Sequence, residues 1–182
     1  KAFDALAFVA LPMLVGGITL APRIIPLFGQ GYEGAVPTLQ ILLGAVFAIF
    51  FGTLYSNLLI ATHYQKLLMY IYFWGMVLNI AVNLYVIPHW SYLGAAWTTL
   101  ATEIGVTLAM MLVLKRRQLL SISPTRVPRI ALAALCMGPV LVLSPWQSLL
   151  MLLVVGGITY LAVSFLTRTF SFAVLKNNLK RS

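Results

Sequence analysis

The chain of 182 residues is 62% hydrophobic and 8% charged, with a mean hydropathy of +0.99. A water-soluble domain carries about 25% charged residues, so composition excludes a soluble fold and indicates an integral membrane protein. The formal net charge of +9 is not read as a nucleic-acid signature, because the Lys and Arg residues stand between long apolar runs, where they orient a protein in a bilayer.

Crossing the hydrocarbon in a helix takes about 20 apolar residues, and six stretches reach or approach that length. The first, 5–27, contains Gly16, Gly17 and the prolines Pro12, Pro22 and Pro26. The second, 35–62, is long enough to tilt. The third and fourth, 67–87 and 93–114, are joined by a short aromatic turn from Pro88 to Tyr92. The fifth, 127–143, is shorter and interrupted at Gly138 and Pro139, and the sixth covers 149–167. The runs are continuous, without a period of two, so helices are expected and a barrel is not. The predicted fold is all-α: a bundle of six transmembrane helices over 1–167, followed by a basic tail over 168–182. The apolar run that begins almost at Lys1 has no cleavage-site pattern, and the chain is expected to be a fragment of something longer.

Charge then assigns orientation. His63 and Lys66 follow the second span; Lys115, Arg116, Arg117, Arg126 and Arg129 lie between the fourth and fifth; Arg168, Lys176, Lys180 and Arg181 follow the sixth. The other connections hold Glu33, the Pro88–Tyr92 turn and the 144–147 segment, with Arg23 the one cation close by. Six spans place every cation-rich segment and both termini on one side, and the positive-inside rule makes that side the cytoplasm. Trp90, Tyr92, Trp97 and Trp146 fall at outer helix ends, as an aromatic belt does. In the tail, Phe170, Phe172, Leu175 and Leu179 alternate with Lys176, Lys180 and Arg181, the pattern of a helix lying on an anionic inner leaflet.

Enzyme signals are sparse. There is no H-x-x-x-H, no carboxylate pair and no glycine-rich phosphate loop, and the predicted topology puts His63 and His89 on opposite faces of the membrane. Cys136, the single cysteine, can form no internal disulfide. The informative residues are polar ones within spans. Tyr72, Asn79 and Asn83 share a stripe on the third helix; Ala96, Thr99 and Glu103 share one on the fourth, with Thr102 and Thr107 at its edges. Counted from Leu93, Glu103 lies about 15 Å down its helix, close to the bilayer midplane. A carboxylate there is costly and marks function by default. Three roles are open to Glu103: hydrogen-bonding to a neighbouring helix, binding a proton or cation in an aqueous path, or touching substrate. Arg23 either snorkels to outer head groups or faces a cavity and attracts an anionic head group such as a pyrophosphate.

The run LFGQGYEGAVPTLQILLGAVF and the hairpin NLYVIPHWSYLGAAWTTLATE resemble the C-terminal half of bacterial polysaccharide biosynthesis flippases, members of the multidrug/oligosaccharidyl-lipid/polysaccharide exporter superfamily. The likeness rests on Asn83-Leu84-Tyr85-Val86-Ile87-Pro88, then Gly94-Ala95-Ala96, Thr99 and Glu103, in the order of the family's Asn-Leu-x-x-Ile-Pro, Gly-Ala-Ala/Gly-x-x-x-Thr and following Glu. Leu27-Phe28-Gly29, Tyr32 and Ala35 match the preceding outer loop, so the resemblance covers roughly 11–114. It implies one half of a two-bundle transporter of the bacterial inner membrane. Such a transporter moves undecaprenyl-pyrophosphate-linked oligosaccharide outward by alternating access. The implied partners are that lipid-linked substrate, membrane lipid and the N-terminal half of the same transporter; neither nucleic acid nor a cofactor is expected. On this reading Asn79, Asn83, Thr99 and Glu103 line the transport path, and Arg23 is the candidate for the substrate head group. The alternatives are a drug antiporter of the same superfamily and a membrane-embedded glycan polymerase or ligase, which the short outer connections disfavour.

Overall fold

The computed structural model describes residues 2–120, 126–144 and 148–167. Among these residues the chain is all-helical, with several long apolar helices, the pattern of a multi-pass membrane protein. Helix α1 (Ala2–Ile24) runs on through a 3-10 turn, Ile25–Phe28. Gly29 (φ 120) and Gly31 (φ 93) then reverse the chain with backbone angles that side chains rarely adopt. A second short turn, Glu33–Ala35, leads into α2 (Val36–Ala61), where Pro37 stands in the first turn, a position that loses no helical hydrogen bond. Helix α3 is Gln65–Arg116, α4 is Val127–Leu143 and α5 is Leu149–Leu166. The 144–147 segment with Trp146 falls largely, and the 168–182 tail wholly, outside the described residues.

Helix α3 differs from the expected pair of spans joined by a non-helical turn. Helical geometry continues through Pro88 and breaks at Ser91 alone, with φ 51 and ψ −139. The two arms fold back antiparallel at that residue. Asn79 bonds Thr102, a Cβ at Gly75 would lie 2.6 Å from Val106 Cγ2, and one at Gly94 would run into Val86 Cγ1. These contacts step away from Ser91 in both directions, as only a hairpin allows. Each arm takes about half of the 52 residues, roughly 39 Å of helix. Four helices among the described residues are long and apolar enough to cross a bilayer, the folded α3 being one of them. Helix α4, with 17 residues, is shorter than that length.

Packing runs in a row. The α3 hairpin lies against α2, α2 against α1, and α1 against α4 and α5. One buried cluster joins Ala7 and Leu20 of α1 to Ile130, Ala133, Ala134, Met137 and Leu141 of α4 and Leu152 and Tyr160 of α5. A second joins Tyr55 and Leu59 of α2 to Leu68, Val106, Met110 and Leu114 of α3. Small residues at these contacts let backbones approach closely, which substitutes for the hydrophobic drive that lipid does not supply. Polar bonds reinforce them: Thr107 donates to the Ala48 carbonyl at 3.1 Å, Gln40 to Ile18 at 3.0 Å, and Tyr160 to Phe8 at 2.8 Å.

The two ends of the molecule follow from these contacts. A Cβ at Gly34 would stand 3.1 Å from the Tyr92 hydroxyl, so the loop after α1 and the apex of α3 share one end. At the other end Arg117 lies 5.1 Å over the Tyr64 ring, and Tyr64, Leu119 and Leu120 pack on the α2–α3 cluster. The connection carrying His63 therefore adjoins the basic end of α3.

Candidate functional site

The polar residues singled out in the sequence are organised by the α3 hairpin. Asn79 Nδ2 donates to Thr102 Oγ1 at 3.1 Å across the two arms, and Asn83 Nδ2 donates to Asn79 Oδ1 at 3.0 Å, one turn along. Thr102 Oγ1 in turn donates to the Thr98 carbonyl at 2.8 Å. The result is a chain of three hydrogen bonds closing the hairpin about 18 Å from Ser91, at 1.5 Å per residue. Its end is incomplete: Asn83 Oδ1 is buried and accepts no hydrogen bond among the described residues. A buried carbonyl oxygen of this kind lacks the partner that such groups ordinarily have.

Thr99 and Glu103 stand on the neighbouring row of the second arm. Thr99 Oγ1 is satisfied by its own helix, donating to Ala95 at 2.9 Å. Glu103 lies between Leu100 and Thr107, both of which meet α2, the first at Gly44 and the second at the Ala48 carbonyl. The carboxylate thus faces the α2 side at a level where α2 presents small residues. It is half-buried and makes neither a hydrogen bond nor an ion pair among the described residues. Bonding between helices falls instead to Thr102 and Thr107, the residues expected only at the edges of the stripe.

Arg23 is held elsewhere. It occupies the last turn of α1, half-buried, at the end of the molecule that carries the hairpin apex. Its helix packs on α2, α4 and α5, while the hairpin packs on α2. The structure therefore links Asn83, Asn79 and Thr102 in one chain of hydrogen bonds, sets Thr99 and Glu103 on the neighbouring row, and leaves Arg23 apart from them on α1, at the apex end. Gln40, which ties α2 to α1 through the Ile18 carbonyl, is a polar residue outside the stripes that the sequence marks. The rule that drew attention to Glu103, a polar side chain within an apolar run, marks it equally well.

A shallow pocket of about 330 Å³ lies along the Asn side of the first arm, lined by Asn79, Ile80, Asn83, Leu84, Ile87 and Pro88. It is open and mostly apolar, with the two amides on one wall. His89 lies beyond it, its Nδ1 2.8 Å from the Tyr85 carbonyl and its ring stacked on Tyr85 at 4.7 Å. No group of three or more metal-ligating side chains occurs among the described residues. Neither protein-family models nor curated proteins give a match to this chain.

Proposed function

We propose that this chain is one helical half of a flippase that carries a lipid-linked oligosaccharide across the bacterial inner membrane. In this reading six spans leave both termini, and the basic tail, on the cytoplasmic side, and a second bundle completes the transport path. The glycan and its pyrophosphate pass through a polar interior while the lipid tail stays in the bilayer. Rocking of the two bundles exposes that interior to each side in turn.

One observation carries the reading. The residues that resemble the exporter superfamily's motif, Asn83 and Pro88 through Gly94, Thr99 and Glu103, fold into a single hairpin with polar groups at mid-span and a carboxylate that has no partner among the described residues. Intramembrane ionisable residues of that kind face a bundle interior or a water-filled cavity and mark ion or substrate pathways. Arg23, near the apex end, fits the attraction of an anionic head group entering or leaving the path.

The test is a strain lacking the gene, complemented by wild type or by Glu103→Gln. Lipid-linked repeat units trapped on the inner leaflet of the deletion strain support the flippase. Units that reach the outer leaflet but stay unpolymerised assign the chain to a polymerase instead. Glu103→Gln, if it folds and reaches the membrane at wild-type level, is expected to reduce export about tenfold or more, the scale of an allosteric or ion-coupling energy.

A further inference from the structure

The hairpin has a second concave face. The two arms of α3 enclose an open groove of about 650 Å³ lined by residues of α3 alone. Its walls include Tyr70, Trp74 and Leu78 from the first arm and Ala101, Gly105 and Ala109 from the second. The two threonines that border it turn their hydroxyls into the helix, Thr98 toward Gly94 and Thr102 toward Thr98, so they offer methyl groups to the groove. Gly105 has open space where a Cβ would be.

We propose that this groove seats one acyl chain of an anionic phospholipid of the cytoplasmic leaflet, with its phosphate held by Arg116 and Lys66. Length and charge argue for that occupant. From Thr98 to Ala109 the groove runs about 16 Å, at 1.5 Å per residue, which is close to half of a hydrocarbon core about 30 Å thick. A transmembrane helix needs the whole thickness; a single leaflet's acyl chain needs half. The groove ends near the basic end of α3. Arg116 stands seven residues beyond Ala109, two turns on and on the same face, and Lys66 immediately precedes Leu67, which lines that end. Both cations are exposed. A largely apolar slot with two cations at one mouth complements a lipid whose chain is apolar and whose head is negative, and basic pockets between helices on the cytoplasmic side recognise such heads. The proposal needs the membrane orientation given above but not the identity of the transported glycan.

The test uses the full chain in nanodiscs with Trp74 as its one tryptophan (Trp90, Trp97 and Trp146 replaced by Phe). Quenching of Trp74 is titrated with dibrominated phosphatidylglycerol and, separately, with dibrominated phosphatidylcholine. Phosphatidylglycerol is expected to quench at a mole fraction about fivefold lower, the scale expected for one basic residue at the membrane surface. Arg116→Gln with Lys66→Gln should remove the preference, and Gly105→Leu should remove it by filling the groove. Gly157→Leu, an equally open glycine on α5, should leave it intact. Equal quenching by the two lipids in the unsubstituted chain overturns the proposal, as does a preference that survives Gly105→Leu. Disulfide cross-linking between two copies through Gly105→Cys would assign the groove to a second chain and overturn it too. Displacement of phosphatidylglycerol by an equal mole fraction of polyprenyl phosphate would assign it to the carrier lipid, with the same consequence. None of these readouts depends on glycan export, so a failed flippase assay and a failed lipid assay remain distinct.

Discussion

At the scale of single residues, the hairpin is held by a few polar bonds and opposed by one strained angle. The Asn79–Thr102 bond joins the arms at 3.1 Å within a largely apolar segment. Interhelical bonds in membranes contribute about 0.6 kcal/mol on average and up to about 1.7, because the unfolded chain in lipid also finds partners. A double-mutant cycle of Asn79→Ala and Thr102→Val, followed by denaturant unfolding in micelles, should give a coupling energy in that range. A coupling indistinguishable from zero would mean the bond does not form in the working protein. Ser91 presents the opposite case. Its φ of 51 with ψ of −139 is a region that glycine occupies freely and other residues enter at about 1–3 kcal/mol. Ser91→Gly should therefore stabilise the hairpin by about 1 kcal/mol, and Ser91→Val should destabilise it by more; a Gly variant with a lower unfolding midpoint would contradict this account. The choice of Thr102 over Thr99 as the bonding partner was not legible in the sequence. The two residues stand about 60° apart around the helix at 100° per residue, and which one faces Asn79 depends on how the arms cross, a tertiary quantity that no local pattern contains.

At the scale of helices, apolar continuity located the elements well, and turn chemistry located their ends less well. Helix α4 begins and ends where its apolar run does, at Val127 and Leu143, and α2 departs from its expected limits by a residue at each end. The reversal falls within the Pro88–Tyr92 turn that the sequence predicts, but its form differs from a non-helical turn. Pro88 suggested an early stop because its ring removes a donor and clashes with the preceding turn. The helix instead tolerates it near the apex, and the reversal is made by Ser91. Close packing of the arms then rests on glycine. A Cβ at Gly75 would sit 2.6 Å from Val106 Cγ2, the tip of a side chain. Gly75→Ala should thus loosen the hairpin by about 1–3 kcal/mol, the usual penalty of overpacking, and Val106→Ala should restore most of that loss. At Gly94 the obstruction includes the Val86 carbonyl oxygen, 3.1 Å from where a Cβ would stand, so a second-site substitution cannot clear it fully. Unfolding midpoints for the Gly75→Ala single and double variants check the first claim: no recovery in the double variant would show that backbone, not the Val106 side chain, sets the approach.

At the scale of the whole molecule, the hairpin separates two environments. On one side of its first arm lie Asn79 and Asn83, with a buried amide oxygen that has no partner among the described residues and a shallow pocket walled in part by the two amides. On the other lie Trp74, Leu78 and the apolar groove. Leu78 and Asn83 are roughly 140° apart around the helix axis, far enough for one to face lipid and the other a hydrated interior. Composition could identify a membrane protein but could not reveal this division, because the first arm is apolar nearly all round and carries large exposed side chains from Met69 to Ile87. A free amide oxygen in hydrocarbon costs several kcal/mol, so its survival at Asn83 is physically reasonable only where water or another polar group reaches it. In a Cys136→Ser background, a membrane-impermeant maleimide should therefore label Asn83→Cys in at least one state of the active protein. Gly105→Cys, in the groove, should resist that reagent and react with a lipid-soluble maleimide instead. If Asn83→Cys is as inert as Gly105→Cys in every state, the hairpin has no wet side, and Glu103 then stands against α2 as a structural acid in lipid, with no path for a glycan to follow.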